Sequence, residues 1–383
     1  MRFHEHFGEP ESSPARRPSG ALVARTTAIL VTVMAMCLVI MAPGANAALK
    51  AKTSAYVAVS AVAVAPGAAV GITGLLKKGT GVFPGAIISI QRKLNGTASW
   101  TTIKTARTNT AGQVKATVTG NHYNYDYRTV YKGATTAAAS VSAAKTVVVR
   151  QTASITATST RSPVAGNYIT VSGKTSPALK GKTVGLQLLN GRVWQTVGLS
   201  KVSTLAAYTV KGKATMAGAR SYRVYVSGAT GVTGAATAAK TFNVYGWYHL
   251  SDLERVSSNR FEPQLGVSIA GTSYSRAIGN RDSFFWARAP YAEYNLSFRC
   301  TRFEATAGLS DLSASNLKVR MTTAVDSTEQ DHGIFGLGQK TNVAVDTAGA
   351  FRLKVQNHYV SGTDSSAGKG IWGNARILCM GKP

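Results

Sequence analysis

The sequence predicts an all-β protein made of three consecutive β-sandwiches. In the last third, from Trp247 to Cys379, no window keeps apolar residues at helical spacing. Short runs there alternate apolar with polar residues between clusters of Gly, Ser, Asn and Asp. Before this region, one sequence pattern occurs twice. The first observation predicts a sheet-on-sheet domain at the C-terminal end, and the second predicts two copies of a smaller sandwich.

The first 47 residues have the composition of a signal peptide. Arg16, Arg17 and Arg25 precede an uncharged apolar segment over 28–42, and Ala45-Asn46-Ala47 supplies the small-x-small pattern that a signal peptidase cleaves. The apolar segment has about 15 residues, fewer than the roughly 20 needed to span a bilayer. We therefore predict a secreted protein without stable membrane insertion after cleavage.

The repeated pattern recurs at a spacing of 94–99 residues and predicts sandwiches over 48–150 and 151–245. Its matching segments are Trp100-Thr101-Thr102-Ile103 with Trp194-Gln195-Thr196-Val197, Tyr127-Arg128 with Tyr222-Arg223, and Lys145-Thr146-Val147 with Lys240-Thr241-Phe242. Both copies resemble bacterial immunoglobulin-like (Ig-like) repeats. Neither contains cysteine, so an apolar core must hold each one, and we expect Trp100 and Trp194 in those cores.

Residues 246–383 contain the ordered motifs of the chain. Strands are predicted over 298–307, over 351–355 with one buried face, and over 375–380. Turn residues separate them, and Asp311 is predicted in the turn after the first of these strands. This arrangement fits an antiparallel sandwich of the jelly-roll type. Three motifs stand in order, namely Tyr248-His249-Leu250-Ser251-Asp252-Leu253, Phe303-Glu304-Ala305-Thr306-Ala307-Gly308-Leu309-Ser310-Asp311 and Ile371-Trp372-Gly373-Asn374-Ala375-Arg376-Ile377-Leu378.

These three motifs resemble the novel putative carbohydrate-binding module (NPCBM) family, which is also met beside glycoside hydrolase catalytic domains. The resemblance implies a sandwich that binds a carbohydrate without catalysis. NPCBM-like domains usually have a glycine-rich segment ending in a histidine, small residues and a serine; here the segment 277–283 is shorter and has no histidine. The preference of some relatives for galactose-type sugars therefore does not transfer.

The loop 279–290 combines the side chains that a saccharide site requires. Aromatic rings stack on the apolar faces of sugars, and Arg, Asp and Asn side chains pair with their hydroxyl groups. We predict a ligand-binding set of Asn280, Arg281, Asp282, Phe285, Trp286 and Arg288. In the alternative, Phe284 and Trp286 pack inward and only Phe285 is displaced. Trp372 is expected as a core anchor, and Arg376 as a buried partner for a carboxylate such as Asp364.

Two cysteines, Cys300 and Cys379, remain after the signal peptide, both in predicted strands. We predict a disulfide between them, since thiols oxidise outside the cell; two separate buried thiols are the alternative. Neither cysteine has metal-ligand spacing to a histidine, so no metal site is predicted. Some NPCBM relatives bind calcium through loop oxygens. No EF-hand-type loop occurs here, so we predict no cofactor and keep calcium as the alternative.

Charge is distributed unevenly along the mature chain. Residues 48–245 contain 24 Lys and Arg and a single carboxylate, Asp126, whereas residues 246–383 contain 15 Lys and Arg and 12 carboxylates. A long-range positive field over the repeats favours contact with polyanions. We hypothesise that the repeats attach electrostatically to an anionic cell-wall polymer, which would place the secreted protein at the cell wall.

Catalytic and nucleic-acid motifs are lacking in the sequence. No GxSxG elbow, HExxH or Walker motif occurs, and no recognition helix or zinc knuckle is predicted. His249 is expected in a half-buried strand and His332 in an exposed loop. We therefore predict a secreted, non-catalytic carbohydrate-binding protein. The alternatives are a wall-associated structural or adhesion protein without sugar binding and, more weakly, a secreted glycoside hydrolase.

Overall fold

The computed structural model describes residues 49–158, 163–284, 287–362 and 368–383. The predicted signal peptide, Phe285, Trp286 and Asp364 lie outside these ranges. The described residues form an all-β protein, as predicted: two Ig-like β-sandwiches are followed by a jelly-roll-type β-sandwich. Its helical segments are two 3₁₀ turns, Pro177–Leu179 and Leu250–Asp252, and no helix within the described ranges is long and apolar enough to cross a bilayer.

The first sandwich contains ten strands in two sheets. One sheet has the order β1-β3-β4 with β7 on β3, and the other has the order β2-β10-β8-β5-β6 with β9 on β8. Its strands are β1 (Thr53–Val59), β2 (Ala63–Val64), β3 (Val70–Lys78), β4 (Gly81–Val82), β5 (Ile87–Leu94), β6 (Thr101–Arg107), β7 (Gln113–Val118), β8 (Tyr125–Tyr131), β9 (Ser140–Val141) and β10 (Lys145–Val149).

The second sandwich repeats this layout with eight strands. A three-stranded sheet, β11-β12-β15, faces a five-stranded sheet with the order β14-β13-β16-β17 and β18 on β16. Its strands are β11 (Ala153–Thr158), β12 (Tyr168–Thr175), β13 (Thr183–Asn190), β14 (Val193–Lys201), β15 (Ala207–Lys213), β16 (Gly218–Val226), β17 (Ala235–Ala236) and β18 (Lys240–Val244).

The third sandwich is the C-terminal domain. A six-stranded sheet, β21-β24-β31-β26-β29 with β19 on β31, packs on a five-stranded sheet, β20-β25-β30-β27-β28, and β22-β23 forms a hairpin. Its strands are β19 (Gly246–His249), β20 (Ser257–Asn259), β21 (Phe261–Gln264), β22 (Val267–Ile269), β23 (Thr272–Tyr274), β24 (Ala277–Asn280), β25 (Tyr291–Asn295), β26 (Cys300–Leu309), β27 (Lys318–Val325), β28 (Thr328–Phe335), β29 (Lys340–Asp346), β30 (Arg352–Ser361) and β31 (Gly370–Cys379).

Each sandwich has a hydrophobic core of its own. The expectation that Trp100 and Trp194 fill the two repeat cores is wrong, because both are only partly buried. Tyr127 and Tyr222 fill those cores instead, at 0% and 1% exposure. Successive side chains of a strand alternate between its faces, so Trp194 shares the outer face of its edge strand with Thr196.

The first two sandwiches contact each other directly. The Asn124 amide donates to the Gly231 carbonyl at 2.7 Å, and the Thr233 hydroxyl donates to the Val149 carbonyl at 2.8 Å. A Cβ on Gly231 would come within 2.3 Å of the Leu94 side chain, so glycine permits this close approach. These contacts fix one repeat against the other.

Trp372 and the disulfide anchor the C-terminal core. Trp372 is fully buried, as expected, and Cys300 and Cys379 form the predicted disulfide between the paired strands β26 and β31, with a Cα–Cα distance of 3.9 Å. Arg376 is half-buried and donates from Nη2 to Glu304 Oε2 at 2.8 Å, so Glu304 is a carboxylate partner that the sequence analysis did not name.

His332 corrects the expectation of an exposed loop. It lies in β28, where its Nε2 is 2.9 Å from the Thr323 hydroxyl. Its ring packs edge-to-face with the ring of Trp372, with the ring centroids 5.7 Å apart. Burial lowers the pKa of His332 below the ordinary 6.5, although the nearby Asp331 opposes this shift. Burial also lowers the pKa of His358, on β30, which β27 separates from β28 in the same sheet.

We expect the C-terminal domain to lose stability as the pH falls below about 6.5. The unfolded chain then binds protons on His332 and His358, whereas the folded domain still excludes them. The free energy of unfolding therefore falls by at most about 1.4 kcal/mol per pH unit for each histidine. Calorimetry between pH 7.5 and 5.0 tests this, since a reductant-sensitive transition identifies the disulfide-bonded domain. The double substitution His332→Gln and His358→Gln should reduce the slope and leave part of it, because burial also lowers the pKa of His249 in this domain. An equal slope in both proteins would contradict the expectation.

Candidate ligand-binding groove of the C-terminal domain

A groove of about 520 Å³ opens at one edge of the C-terminal sandwich. Three separate segments form it: the turn between β21 and β22, the turn that follows β26, and the residues that precede β31. The side chains used below line it, namely Gln264, Leu265, Ser268, Asp311, Leu312 and Lys369. Its volume lies within the range of small-ligand sites.

Asp311 fixes one wall of the groove. Its backbone amide donates to the Ser268 carbonyl at 3.0 Å, and its Oδ2 accepts the Gly271 amide at 3.0 Å across the β22-β23 turn. Gly271 has a φ of +72°, a conformation that glycine adopts without strain. The other oxygen of this exposed carboxylate makes no hydrogen bond among the described residues. Asp311 therefore both orders the hairpin and presents an acceptor to solvent.

Lys369 also lines the groove. Its backbone amide donates to the Ser313 hydroxyl at 3.1 Å, and its carbonyl accepts the Ser310 amide at 2.9 Å. Its ammonium group donates to Gln264 Oε1 at 3.2 Å and has two further donor positions. A cation and an amide therefore line the same groove as the Asp311 carboxylate.

Apolar surface flanks these polar groups. The side chains of Leu265 and Leu312 are 84% and 91% exposed, so they present aliphatic surface at the groove. Each lies beside a polar lining residue, Leu265 after Gln264 and Leu312 after Asp311. The groove thus offers hydrogen-bonding groups next to apolar patches.

A buried amide network supports the groove from below. Asn280 is 1% exposed; its Oδ1 accepts the Gly370 amide at 2.7 Å, and its Nδ2 donates to the Gly368 carbonyl at 3.3 Å, so it holds both neighbours of Lys369. Asn357, also fully buried, donates to the Gly370 carbonyl at 2.8 Å and accepts the Trp372 indole N–H at 2.8 Å. The backbone beside the groove is therefore fixed before any ligand arrives.

The structure separates the residues of the predicted ligand set. Asn280 faces the interior and supports Lys369, whereas the Arg281 side chain is 58% exposed and forms an ion pair with Asp282, which is also paired with Arg260. Arg288 lies 4.2 Å over the ring of Tyr359. Phe285 and Trp286, also predicted to bind ligand, are outside the described residues.

Phe284 packs inward at 3% exposure, as the alternative interpretation of its segment has it. The centroid of its ring lies 6.0 Å from the centroid of the Tyr359 ring. The side chain of Phe284 is therefore part of the domain core, and the aromatic surface of this loop would have to come from its neighbours.

Sequence reasoning missed Gln264, Lys369 and the two exposed leucines. Asp311 was recognised only as a turn residue within the second motif. The sequence does contain a signal for this site. Leu265 precedes a glycine and Leu312 follows an aspartate, so both large apolar residues stand next to residues that favour turns. Their convergence depends on pairing between distant strands and cannot be derived from spacing.

No group of three His, Cys, Asp or Glu side chains with a geometry that could hold a metal ion occurs within the described ranges.

No protein-family model matches the chain, and no curated protein matches it. Among solved structures, the chain is similar to CBM51 from Clostridium perfringens GH95 in complex with methyl-galactose, at 17% identity and a TM-score of 0.29, covering 34% of this chain and 99% of that one. It is also similar to a tetra-tandem repeat in the extending region of a large adhesion protein, at 12% identity and a TM-score of 0.30, covering 77% of this chain and 66% of that one.

A third similarity is to the Yersinia pseudotuberculosis adhesin InvE, at 11% identity and a TM-score of 0.28, covering 60% of this chain and 67% of that one. The structural neighbours therefore include a carbohydrate-binding module and adhesin domains. Identities and TM-scores this low assign neither ligand nor function, and the NPCBM relationship remains a resemblance of sequence motifs.

Proposed function

We propose that this chain is a secreted, non-catalytic carbohydrate-binding protein whose C-terminal domain, over 246–383, binds a glycan in the groove between Asp311 and Lys369. In this proposal the two basic Ig-like repeats, over 48–150 and 151–245, attach the protein to an anionic cell-wall polymer after removal of the signal peptide. Adhesion without sugar binding is the second candidate, because the repeats carry a strong positive charge of their own.

The observation that supports glycan binding is the juxtaposition of charged and amide groups with exposed leucines over a rigid floor. Sugar hydroxyls can donate to the free Asp311 oxygen and accept from the Lys369 ammonium group and the Gln264 amide. The apolar C–H face of the ring can cover Leu265 or Leu312. The buried amide network keeps these groups in place, so little conformational entropy is lost when a ligand binds.

The charge of the repeats supports the attachment to a wall polymer. Their single carboxylate, Asp126, already accepts hydrogen bonds from Asn95 at 3.0 Å and Thr146 at 2.7 Å and pairs with Lys93 at 3.6 Å. These contacts lower the pKa of Asp126 although desolvation, the largest influence, acts in the opposite direction. Nearly all of the 24 positive charges of the repeats therefore lack an internal counterion.

We expect a glycan array probed with the full chain to identify a ligand, and calorimetry with that ligand to show at least about tenfold weaker binding for Asp311→Asn and for Lys369→Ala. Each substitution removes one charge-assisted hydrogen bond, and a tenfold change corresponds to about 1.4 kcal/mol. The matched control Lys382→Ala removes an exposed lysine elsewhere in the same domain and should bind within about twofold of the wild type.

A wild-type chain that ignores every glycan on the array would overturn the sugar-binding part of the proposal and leave the cationic repeats as the functional part. Binding that survives both groove substitutions would move the site elsewhere in the domain, to the loop with Trp286 first. Release of reducing sugar from a bound glycan would contradict the proposed lack of catalysis.

A further inference from the structure

The outer sheet faces of the two repeats carry the same four side chains in the same arrangement. We call each set a Trp-Arg-Gln-Thr cluster: Trp100, Arg128, Gln91 and Thr102 in the first repeat, and Trp194, Arg223, Gln187 and Thr196 in the second. In both, Gln and Arg are paired across neighbouring strands, β5 with β8 and β13 with β16, and Thr lies opposite Gln on the edge strand, β6 or β14.

The geometry of the two clusters agrees closely. Arginine Nε donates to glutamine Oε1 at 2.9 Å in both, and the guanidinium carbon lies 4.1 Å from the ring centroid of Trp100 and 4.3 Å from that of Trp194. The glutamine amide donates to the threonine hydroxyl at 3.2 Å and 3.4 Å. One ring face and one hydrogen bond thus orient each guanidinium group.

The terminal nitrogens of both arginines are left open. Among the described residues, no hydrogen bond or ion pair engages the Nη atoms of Arg128 or Arg223. The second repeat has no carboxylate at all, and Asp126 of the first is engaged by Lys93 and by two hydrogen-bond donors. Both guanidinium groups therefore keep Nη donors available to an anion from solution.

A guanidinium group in a fixed orientation suits an oxyanion. Its two Nη atoms form a planar fork that matches a phosphate or carboxylate, and an oriented fork loses less side-chain entropy on binding than a free one. The partly buried indole ring beside it provides apolar surface for a sugar or polyol carbon next to that oxyanion. In the first repeat the Lys93 ammonium group also lies 5.4 Å from the Trp100 ring centroid and adds a second cation. The combination of fork and ring fits a polymer in which anionic groups and polyol units alternate.

We propose that each Trp-Arg-Gln-Thr cluster is a binding site for one oxyanion, phosphate or carboxylate, of a sugar or polyol polymer. This inference rests on the proposed attachment of the repeats to an anionic polymer and names the residues that would recognise it. The contacts of Asn124 with Gly231 and of Thr233 with Val149 hold the repeats together, so the spacing of the two sites is fixed. Binding at one cluster therefore raises the effective concentration of the polymer at the other.

The test compares binding of immobilised poly(glycerol phosphate) and of polygalacturonate by full-length variants at physiological salt. Arg128→Lys with Arg223→Lys keeps the net charge but removes the fork, and we expect about tenfold weaker binding of the recognised polymer. The matched control is Arg150→Lys with Arg192→Lys, which makes the same exchange at exposed positions outside the clusters and should bind as the wild type does. The polymer that shows the loss distinguishes phosphate from carboxylate.

Trp100→Leu with Trp194→Leu provides a second variant in case the arginine substitutions alter folding, which the melting temperature reports. It retains every charge and should also weaken binding. Salt-sensitive binding by the wild type that neither double variant changes would overturn the cluster assignment and keep the electrostatic attachment. A wild type that binds neither polymer would overturn the attachment and this inference together.

Discussion

Replacing Cys300 and Cys379 together by alanine should lower the free energy of unfolding of the C-terminal domain by about 4 kcal/mol, because the disulfide closes a loop of 79 residues in the unfolded chain. Both cysteines are at most 1% exposed and lie opposite each other in β26 and β31. Hydrogen exchange of the peptide 370–379 in the full chain measures the effect. Its protection should fall about a thousandfold.

The two repeats provide an internal control for this experiment. They have no cysteine, so exchange of the β8 and β16 amides should stay unchanged, and reduction of the wild-type protein should reproduce the effect of the double substitution. Unchanged protection of β31 would show that the sheet pairing alone stabilises this domain.

Substituting Asn280→Ala should destabilise the C-terminal domain by about 3 kcal/mol, although the side chain was predicted to contact ligand. The change leaves the buried Gly370 amide and Gly368 carbonyl without their Asn280 partner, and each unsatisfied buried group costs about 1–3 kcal/mol. The loss also frees the backbone of Lys369, so we expect glycan binding to weaken in parallel. Denaturant unfolding and calorimetry with the array ligand measure the two effects.

Asn342→Ala is the matched control, because Asn342 is an exposed asparagine of β29. Its side-chain Oδ1 accepts a hydrogen bond from the Thr306 hydroxyl at 3.1 Å. That substitution should change stability by no more than about 0.5 kcal/mol. If Asn280→Ala weakened glycan binding while leaving stability intact, Asn280 would be a ligand contact after all, and the support role would be contradicted.

Local pattern was enough to predict strands, repeats and fold class. Alternation in 351–355 correctly predicted the buried side chains of Leu353 and Val355, because strand periodicity is a local property of the backbone. It was wrong for Phe351, which precedes β30 and is 40% exposed. The same reasoning failed for Trp100, Trp194 and His332. A large aromatic residue is expected in a core on hydrophobicity alone, but the face of the strand on which it stands depends on register, and register is set by pairing with distant residues.

The residues of the candidate groove also differ in whether the sequence predicted their positions. The sequence pattern correctly predicted Asp311 in a turn, but Asn280, predicted in a polar loop, is the buried last residue of β24. Lys369 approaches Gln264 across 105 residues of chain, and the two Trp-Arg-Gln-Thr clusters each combine three strands. Neither arrangement follows from sequence spacing.

By itself the sequence determined an all-β chain, two related basic repeats and a disulfide-bonded C-terminal sandwich, because composition, periodicity and cysteine count act locally or as sums over residues. Only the tertiary structure decided that Asn280 supports the groove from within, that Lys369 and Asp311 line the same groove, and that two arginines stack on two tryptophans at the surface. The physical reason is that contacts between sheets and loops depend on strand register and burial, which arise from cooperative packing of residues far apart in the chain.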